Sequence, residues 1–299
     1  MNVVVGRQVK YEEFYKPLQK NIRTNILEGR LLGRVGKFLL KQKHFSGPVP
    51  INDLASMRRL LYVEDGLYPQ QGELSAMGNA LRNSFLANKL ADVELGRWSL
   101  TVPVLNFLER EISRVKPKMV LEFGSGVSTA CLARYMFELY GDLDATYIVS
   151  IEDKIEFLEK TKEFLDIIHV AKYAKVIHLP LRFQIIEGIR SNCYDLSMDS
   201  FAASLGTCQP ELVVIDGPAL KGGRVGTLPL ALPFLSEGAW FFLDDALRDE
   251  ELECGRVWSK LPYVQVYGVH LIGAGLLVGR VIKRVKKVSD HECKSWSSC

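Results

Sequence analysis

From residue 118 to residue 280 the chain alternates between short apolar runs and longer stretches in which apolar residues recur every three or four positions. Short apolar runs bounded by turn residues read as buried strands, and the three-to-four spacing reads as helix. Strands are expected at Met119–Phe123, Thr146–Ile151, Lys175–Leu181, Glu211–Ile215 and Ala239–Leu243. Helices are expected at Leu105–Val115, Ala130–Tyr140, Lys154–Ile168, Leu228–Leu235 and Ala246–Leu261. Val264–Val269 and Ala274–Val278 read as a closing antiparallel hairpin through Leu271-Ile272-Gly273, and residues 184–209 read as irregular and polar. The alternation predicts an α/β fold: a doubly wound, Rossmann-like seven-stranded sheet with an antiparallel C-terminal hairpin.

Residues 10–45 follow a different pattern. Phe14, Leu18, Ile22, Ile26 and Leu27 form a helical stripe continued by Leu31, Leu32, Val35, Phe38 and Leu39, with Lys16, Lys20, Arg23, Arg30, Arg34, Lys37, Lys41 and Lys43 set around it. Gly47-Pro48-Val49-Pro50 breaks the stripe. Glu73–Leu90 reads as another helix, and the loop from Glu94 to Thr101, with Trp98 in it, leads into the first sheet unit. The division expected is a basic helical extension at 1–94, serving as a lid or a homodimer surface, a catalytic domain at 95–280, and a basic flexible tail at 281–299.

Charge sharpens this division. Residues 1–62 hold 12 Lys/Arg and 4 Asp/Glu, and residues 280–299 hold 6 and 2, whereas residues 63–279 hold 20 and 29. An acidic middle between basic ends permits peripheral contact with an anionic surface through those ends. No apolar run reaches the ~18–20 residues of a transmembrane segment, and Met1–Val5 lacks the charge pattern of a signal peptide. The six cysteines (131, 193, 208, 254, 293, 299) form no CxxC pair and no zinc spacing. Reduced thiols and a cytoplasmic location are the expectation.

The candidate chemistry lies at the ends of the strands. Val120-Leu-Glu-Phe-Gly124-Ser-Gly126 runs from a strand through a glycine turn into a helix, an arrangement that presents backbone N–H groups to a polar or anionic part of a nucleotide-like ligand. The third glycine of a dinucleotide fingerprint falls at Thr129, which argues against NAD or FAD. Glu122, Glu152, Asp216 and the pair Asp244-Asp245 each fall at the C-terminal end of an expected strand. In open α/β sheets that edge binds ligands. A carboxylate at Glu152 can accept both hydroxyl protons of a ribose. Asp216, Asp244 and Asp245 would repel one another without a cation, and a hard divalent ion such as Mg²⁺ would relieve this.

Glu122-Phe-Gly124-Ser-Gly126 resembles motif I of class I S-adenosylmethionine (SAM)-dependent methyltransferases. The resemblance implies that Glu122, Gly124, Ser125 and Gly126 hold the methionine end of SAM and that Glu152 holds its ribose. Asp216 and Asp244-Asp245 are similar to the metal acids of catechol-type and macrolide-sugar-type O-methyltransferases, although the second pair is Asp-Asn in the catechol group. This implies a Mg²⁺ site at Asp216, Asp244 and Asp245 and methyl transfer to a hydroxyl of a small-molecule or sugar acceptor. The string from Asp216-Gly-Pro through Gly223-Arg224 to Asp244-Asp-Ala-Leu-Arg248 also resembles bacterial methyltransferases of glycan or secondary-metabolite modification. Asp216 and Lys221 are the candidate bases, Arg224 a partner for an anionic substrate group, and His270 a structural histidine. Two alternatives remain: an NAD(P)-dependent oxidoreductase, and a non-catalytic methyltransferase-like subunit that binds a partner. Motifs of amino-group DNA methylation and of cytosine methylation are missing.

Overall fold

The computed structural model describes residues 100–142 and 147–285, with Pro48, Pro50 and Ile51 beside them. The helices expected in 10–45 and 73–90, the loop around Trp98 and the tail beyond residue 285 lie outside the described residues.

Helix α1 (Val102–Val115) leads into β1 (Val120–Phe123), α2 (Val127–Tyr140), β2 (Ile148–Glu152), α3 (Ile155–Ile167) and β3 (Ala174–His178). A separate hairpin, β4 (Leu181–Ile186) and β5 (Ile189–Tyr194), precedes α4 (Asp199–Leu205) and β6 (Leu212–Ile215). Helix α5 (Arg224–Ala231), β7 (Trp240–Leu243), α6 (Asp249–Trp258), β8 (Val264–His270) and β9 (Leu276–Val281) complete the fold. The main sheet has seven strands in the order β3-β2-β1-β6-β7-β9-β8. The β1–β2, β2–β3, β1–β6 and β6–β7 pairings are parallel, and β9 lies antiparallel to both β7 and β8. This is the expected doubly wound, Rossmann-like sheet with an antiparallel closing hairpin. Among the described residues no helix is long and apolar enough to cross a membrane.

Side chains alternate across the sheet with the two-residue strand period. Leu121, Phe123, Val149, Ile151, Val213, Ile215, Phe241 and Leu243 share one buried cluster with Phe201, Leu228, Leu252 and Trp258, which come from α4, α5 and α6. Val120, Ile148, Leu212, Val214 and Phe242 share the other with Leu108, Leu132, Met136 and Leu165, from α1, α2 and α3. Both faces are therefore covered, which is why these strands read as continuous apolar runs.

The register fixes the functional edge. Phe123 pairs with Ile151 and with Ile215, and Ile215 pairs with Leu243. The four strands end in step, so Gly124, Glu152, Asp216 and Asp244 form one row across the C-terminal edge. The topological switch point falls between β1 and β6, within that row.

Residues 184–209 are more ordered than their polarity suggests. Ile186 and Ile189 flank Glu187 and Gly188, whose φ angles of 52° and 77° suit a two-residue hairpin turn. Glu-Gly is not one of the usual turn dipeptides, so the hairpin has no strong local signature. It is fixed by docking on α5: the Ser191 hydroxyl donates to the carbonyls of Gly222 (2.9 Å) and Gly223 (3.0 Å) and accepts from the Gly226 N–H (3.2 Å). Consequently α5 begins at Arg224, four residues before the expected Leu228.

Candidate functional site at the C-terminal edge of the sheet

The turn after β1 is held by close backbone packing. Gly124 has φ +90°, and a Cβ there would lie 2.8 Å from Gly217 N. Gly217 is as constrained, since its Cβ would lie 2.9 Å from Gly124 Cα and 2.2 Å from the Tyr194 hydroxyl. The N–H groups of Asp216 (2.8 Å) and Gly217 (2.7 Å) both donate to the Phe123 carbonyl. These contacts lock the loop after β1 against the loop after β6. Gly126 differs: its φ of 163° is extended, and a Cβ there would meet no heavy atom of the described residues within 4 Å. Open space in front of the turn is what a ligand seated on the glycine loop requires.

Glu122 is displaced from its expected place at the end of the strand. It lies one residue inside β1, and its parity aims it beneath α2, opposite its register partner Ser150. Fully buried, it accepts hydrogen bonds from the hydroxyls of Thr129 (2.5 Å) and Ser150 (2.7 Å). The Thr129 hydroxyl also accepts from the Gly126 N–H (3.1 Å), so the residue that replaces the fingerprint glycine ties the turn to Glu122. Thr129, noted from the sequence only for breaking the dinucleotide fingerprint, here bonds Glu122, and Ser150, which the sequence did not single out, follows from the strand register. Glu122 Oε1 is buried without a hydrogen-bond partner among the described residues. Burial pushes the Glu122 carboxyl up to about 7, against the lowering effect of its hydroxyl donors.

A pH effect on stability follows. A carboxyl raised from 4.5 to about 7 stabilises the fold fully below the unfolded value, and that contribution is lost as pH rises through the folded value. The shift corresponds to roughly 3 kcal/mol between the two limits. Thermal melting of wild-type protein at about pH 5 and about pH 8 should show a loss at the higher pH that Glu122→Gln reduces by several degrees. Equal pH slopes in the two proteins would remove the assignment.

Glu152, the last residue of β2, is 4% exposed and fully engaged. One oxygen accepts from the Ser125 N–H (3.0 Å) and the Ser125 hydroxyl (3.1 Å), and the other from the N–H groups of Asp153 and Lys154, both at 3.0 Å. The carboxylate therefore joins the glycine turn to the end of β2. Ser125 has a second partner for its hydroxyl, Thr161 Oγ1 at 2.9 Å, so it can release Glu152 without being left unpaired.

Asp216 and Asp244 are the first residues past β6 and β7. Together with Asp245 they bring one carboxylate oxygen each to within 4.8 Å of the others. Asp245 has φ 59°, a left-handed conformation that aspartate tolerates. It does not cap α6, which begins at Asp249 behind Arg248. Arg224, whose side chain is 8% exposed, is inserted among the acids. Its Nη2 donates to Asp216 Oδ1 (3.1 Å), and its Nη1 donates to Asp245 Oδ2 (3.3 Å) and to the Asp244 carbonyl (3.2 Å). Glu251 Oε1 lies 3.6 Å from the same Nη1, and Arg248 Nη1 lies 2.8 Å from Asp245 Oδ2. Burial pushes the Asp216 carboxyl up to about 6, with Arg224 opposing, and burial followed by repulsion from Asp216 pushes Asp244 well above the usual range. Asp244 Oδ1 is buried without a partner among the described residues.

The other candidates lie apart from this cluster. The Lys221 side chain is 88% exposed and pairs with Glu250 Oε1 at 3.6 Å, pointing out from the glycine loop. His270 packs against Phe107 with ring centroids 4.7 Å apart, and burial lowers its pKa to about 4. It is a neutral packing residue, as expected. Arg224 turns inward to four acidic neighbours, so its charge serves the protein before any substrate. Glu251 joins the cluster without having been anticipated, because its partner Arg224 is distant in sequence, whereas Arg248 pairs with Asp245 only three residues away.

No protein-family model matches the chain, and no curated protein matches it. Among solved structures it is similar to an O-methyltransferase from Bacillus cereus in complex with SAH, at 16% identity over 76% of this chain and 99% of that chain, with a TM-score of 0.48. It is similar to the O-methyltransferase TomG from Streptomyces achromogenes in complex with SAM, at 17% identity over 76% of this chain and 94% of that chain, with a TM-score of 0.47. It is also similar to an SAH-bound methyltransferase from Podospora anserina, at 18% identity over 79% of this chain and 99% of that chain, with a TM-score of 0.44.

Proposed function

We propose that this chain is a class I SAM-dependent methyltransferase that acts on a hydroxyl of a small-molecule or sugar acceptor. One observation carries the reading: Gly124, Glu152, Asp216 and Asp244 stand in register across four parallel strands at the topological switch point. A cofactor-binding half, Gly124 and Glu152, thus adjoins a carboxylate half, Asp216 and Asp244. The residues present fit SAM. Among the described residues Glu122 Oε1 is a buried acceptor without a partner beneath the glycine turn, and the space before Gly126 is open. The Thr129 hydroxyl, which replaces a dinucleotide-fingerprint glycine, favours SAM over NAD(P).

SAM supplies an electrophilic methyl group on a sulfonium. The protein contributes position and a base. Glu152 accepts the ribose hydroxyls once the Ser125 hydroxyl turns to Thr161, and Glu122 with the N–H groups of the turn orients the methionine end. Asp216 receives the acceptor hydroxyl proton as the oxygen attacks the methyl carbon. Bound SAM would supply the methyl group to the acceptor oxygen and would leave as S-adenosylhomocysteine (SAH). Arg224 holds Asp216 in place for this transfer.

The carboxylate set has the hard oxygen donors that Mg²⁺ takes, but one oxygen each of Asp216 and Asp245 is already bonded to Arg224, whose positive charge opposes a cation at the same acids. The set as folded does not fit the ion, and no step is derived through it. Calorimetric titration with SAH tests the reading. Micromolar binding is expected, with no binding of NAD⁺ or NADP⁺. Preference for a nicotinamide dinucleotide would transfer the chain to the oxidoreductases, and binding of neither would leave a non-catalytic subunit.

A further inference from the structure

We infer that Arg224 is the permanent counter-ion of the Asp216–Asp244–Asp245 cluster and stands where a divalent metal would stand, so that the acceptor half of the site works without one. The inference deepens the proposed function, resting on it for the word acceptor, while the geometry of the cluster is independent of the cofactor. Arg224 is delivered by a rigid element. It is the first residue of α5, and the two preceding glycine carbonyls are clamped by the Ser191 hydroxyl of the β5 strand. Its guanidinium is nearly sealed from solvent and reaches two carboxylates from different strand ends through its two terminal nitrogens, at 3.1 and 3.3 Å. Its Nη1 also meets the Asp244 carbonyl, and Glu251 closes the remaining side.

A guanidinium cannot give up its proton inside a protein, so it cannot vacate the charge to admit a cation as a lysine could. An ion entering the cluster would have to evict a buried side chain from several acceptors. Arg248, at 2.8 Å, already adds a second positive group on Asp245. Asp244 Oδ1 is the one oxygen of the three carboxylates that is buried and unpartnered among the described residues. Mg²⁺ needs only one or two carboxylates and fills its other positions with water, so what opposes it here is the Arg224 guanidinium already paired with Asp216 and Asp245. The arrangement also explains how acids from the ends of β6 and β7 and from α6 gather at one place: two arginines share the cost of their burial.

The test uses the full chain, treated with EDTA and dialysed, with no SAH present. The wild-type protein is titrated with Mg²⁺ alone and with Mn²⁺ alone, followed by calorimetry and by thermal shift. No saturable binding is expected at millimolar ion. Arg224→Met, which removes the charge and keeps the stem, should bind Mn²⁺ at least tenfold more tightly than wild type and be stabilised by it. Submillimolar Mg²⁺ binding by wild type that disappears in Asp244→Asn would overturn the inference. So would an Arg224→Met protein with native circular dichroism that binds no Mn²⁺. If Arg224→Met does not fold, the wild-type titration decides alone. SAH binding, measured separately, reports on the cofactor half, so failure of one reading does not imitate failure of the other.

Discussion

Glu152→Ala is expected to weaken SAH binding at least 100-fold. The carboxylate accepts four hydrogen bonds in the structure, three from backbone N–H groups at the glycine turn and the start of α3 and one from the Ser125 hydroxyl. Hydrogen bonds to a charged group are worth about 1.5–3 kcal/mol each, so losing two ribose contacts removes roughly 3–6 kcal/mol, a factor of 100 or more. The variant also leaves the Ser125 N–H without its acceptor, which loosens the turn. An SAH analogue lacking both ribose hydroxyls separates the two effects. It should bind wild type and Glu152→Ala with affinities within a few-fold of one another, since the contact it lacks is the one the variant lacks. Calorimetry showing Glu152→Ala within threefold of wild type for SAH would remove Glu152 from the cofactor site.

Gly124→Ala is expected to lower both stability and SAH affinity, whereas Gly126→Ala should lower affinity alone. At Gly124 the backbone is left-handed, and the added Cβ would lie 2.8 Å from Gly217 N, a backbone atom that cannot swing away. Strain and displacement of the loop after β6 together cost about 2–4 kcal/mol. For a chain of this size that is a drop in melting temperature of roughly 5–10 °C. At Gly126 the backbone is extended and the space is open, so the methyl group is harmless to the fold but stands where the ligand is expected. Thermal melts and SAH titrations on both variants give the answer. Gly124→Ala melting within a degree of wild type would show that the two loops are not locked. Gly126→Ala binding SAH with unchanged affinity would move the ligand away from the turn.

The contrast between these glycines shows how much of the site is local. Strand, turn and helix at residues 119–140 follow from apolar periodicity and two glycines, and the sequence shows both glycines alike. That Gly124 is obligatory and Gly126 is not depends on Gly217, which is brought alongside by the pairing of β1 with β6, strands far apart in the chain. Glu122 is a case of parity. Its position with Val120 on the face beneath α2 was available from the two-residue period. The expected strand Met119–Phe123 and β1 end at the same residue, so grouping Glu122 with the carboxylates at strand ends overlooked that it lies one residue inside.

By itself the sequence determined the α/β class, the seven strands, the antiparallel closure and the carboxylates at the ends of β2, β6 and β7. These features depend on short-range periodicity and on the expense of burying a strand with a charge at its tip. Only the tertiary structure decided the direction in which side chains turn. Lys221 and Arg224 stand three residues apart in one glycine-rich loop and are both cationic. The turn into α5 sends the lysine into solvent and the arginine into the acids. The β4–β5 hairpin, without a turn dipeptide to announce it, is fixed by its contacts with α5. Both outcomes come from long-range packing, where one clamped helix start determines which of two similar charges is buried. No local pattern along the chain contains that information.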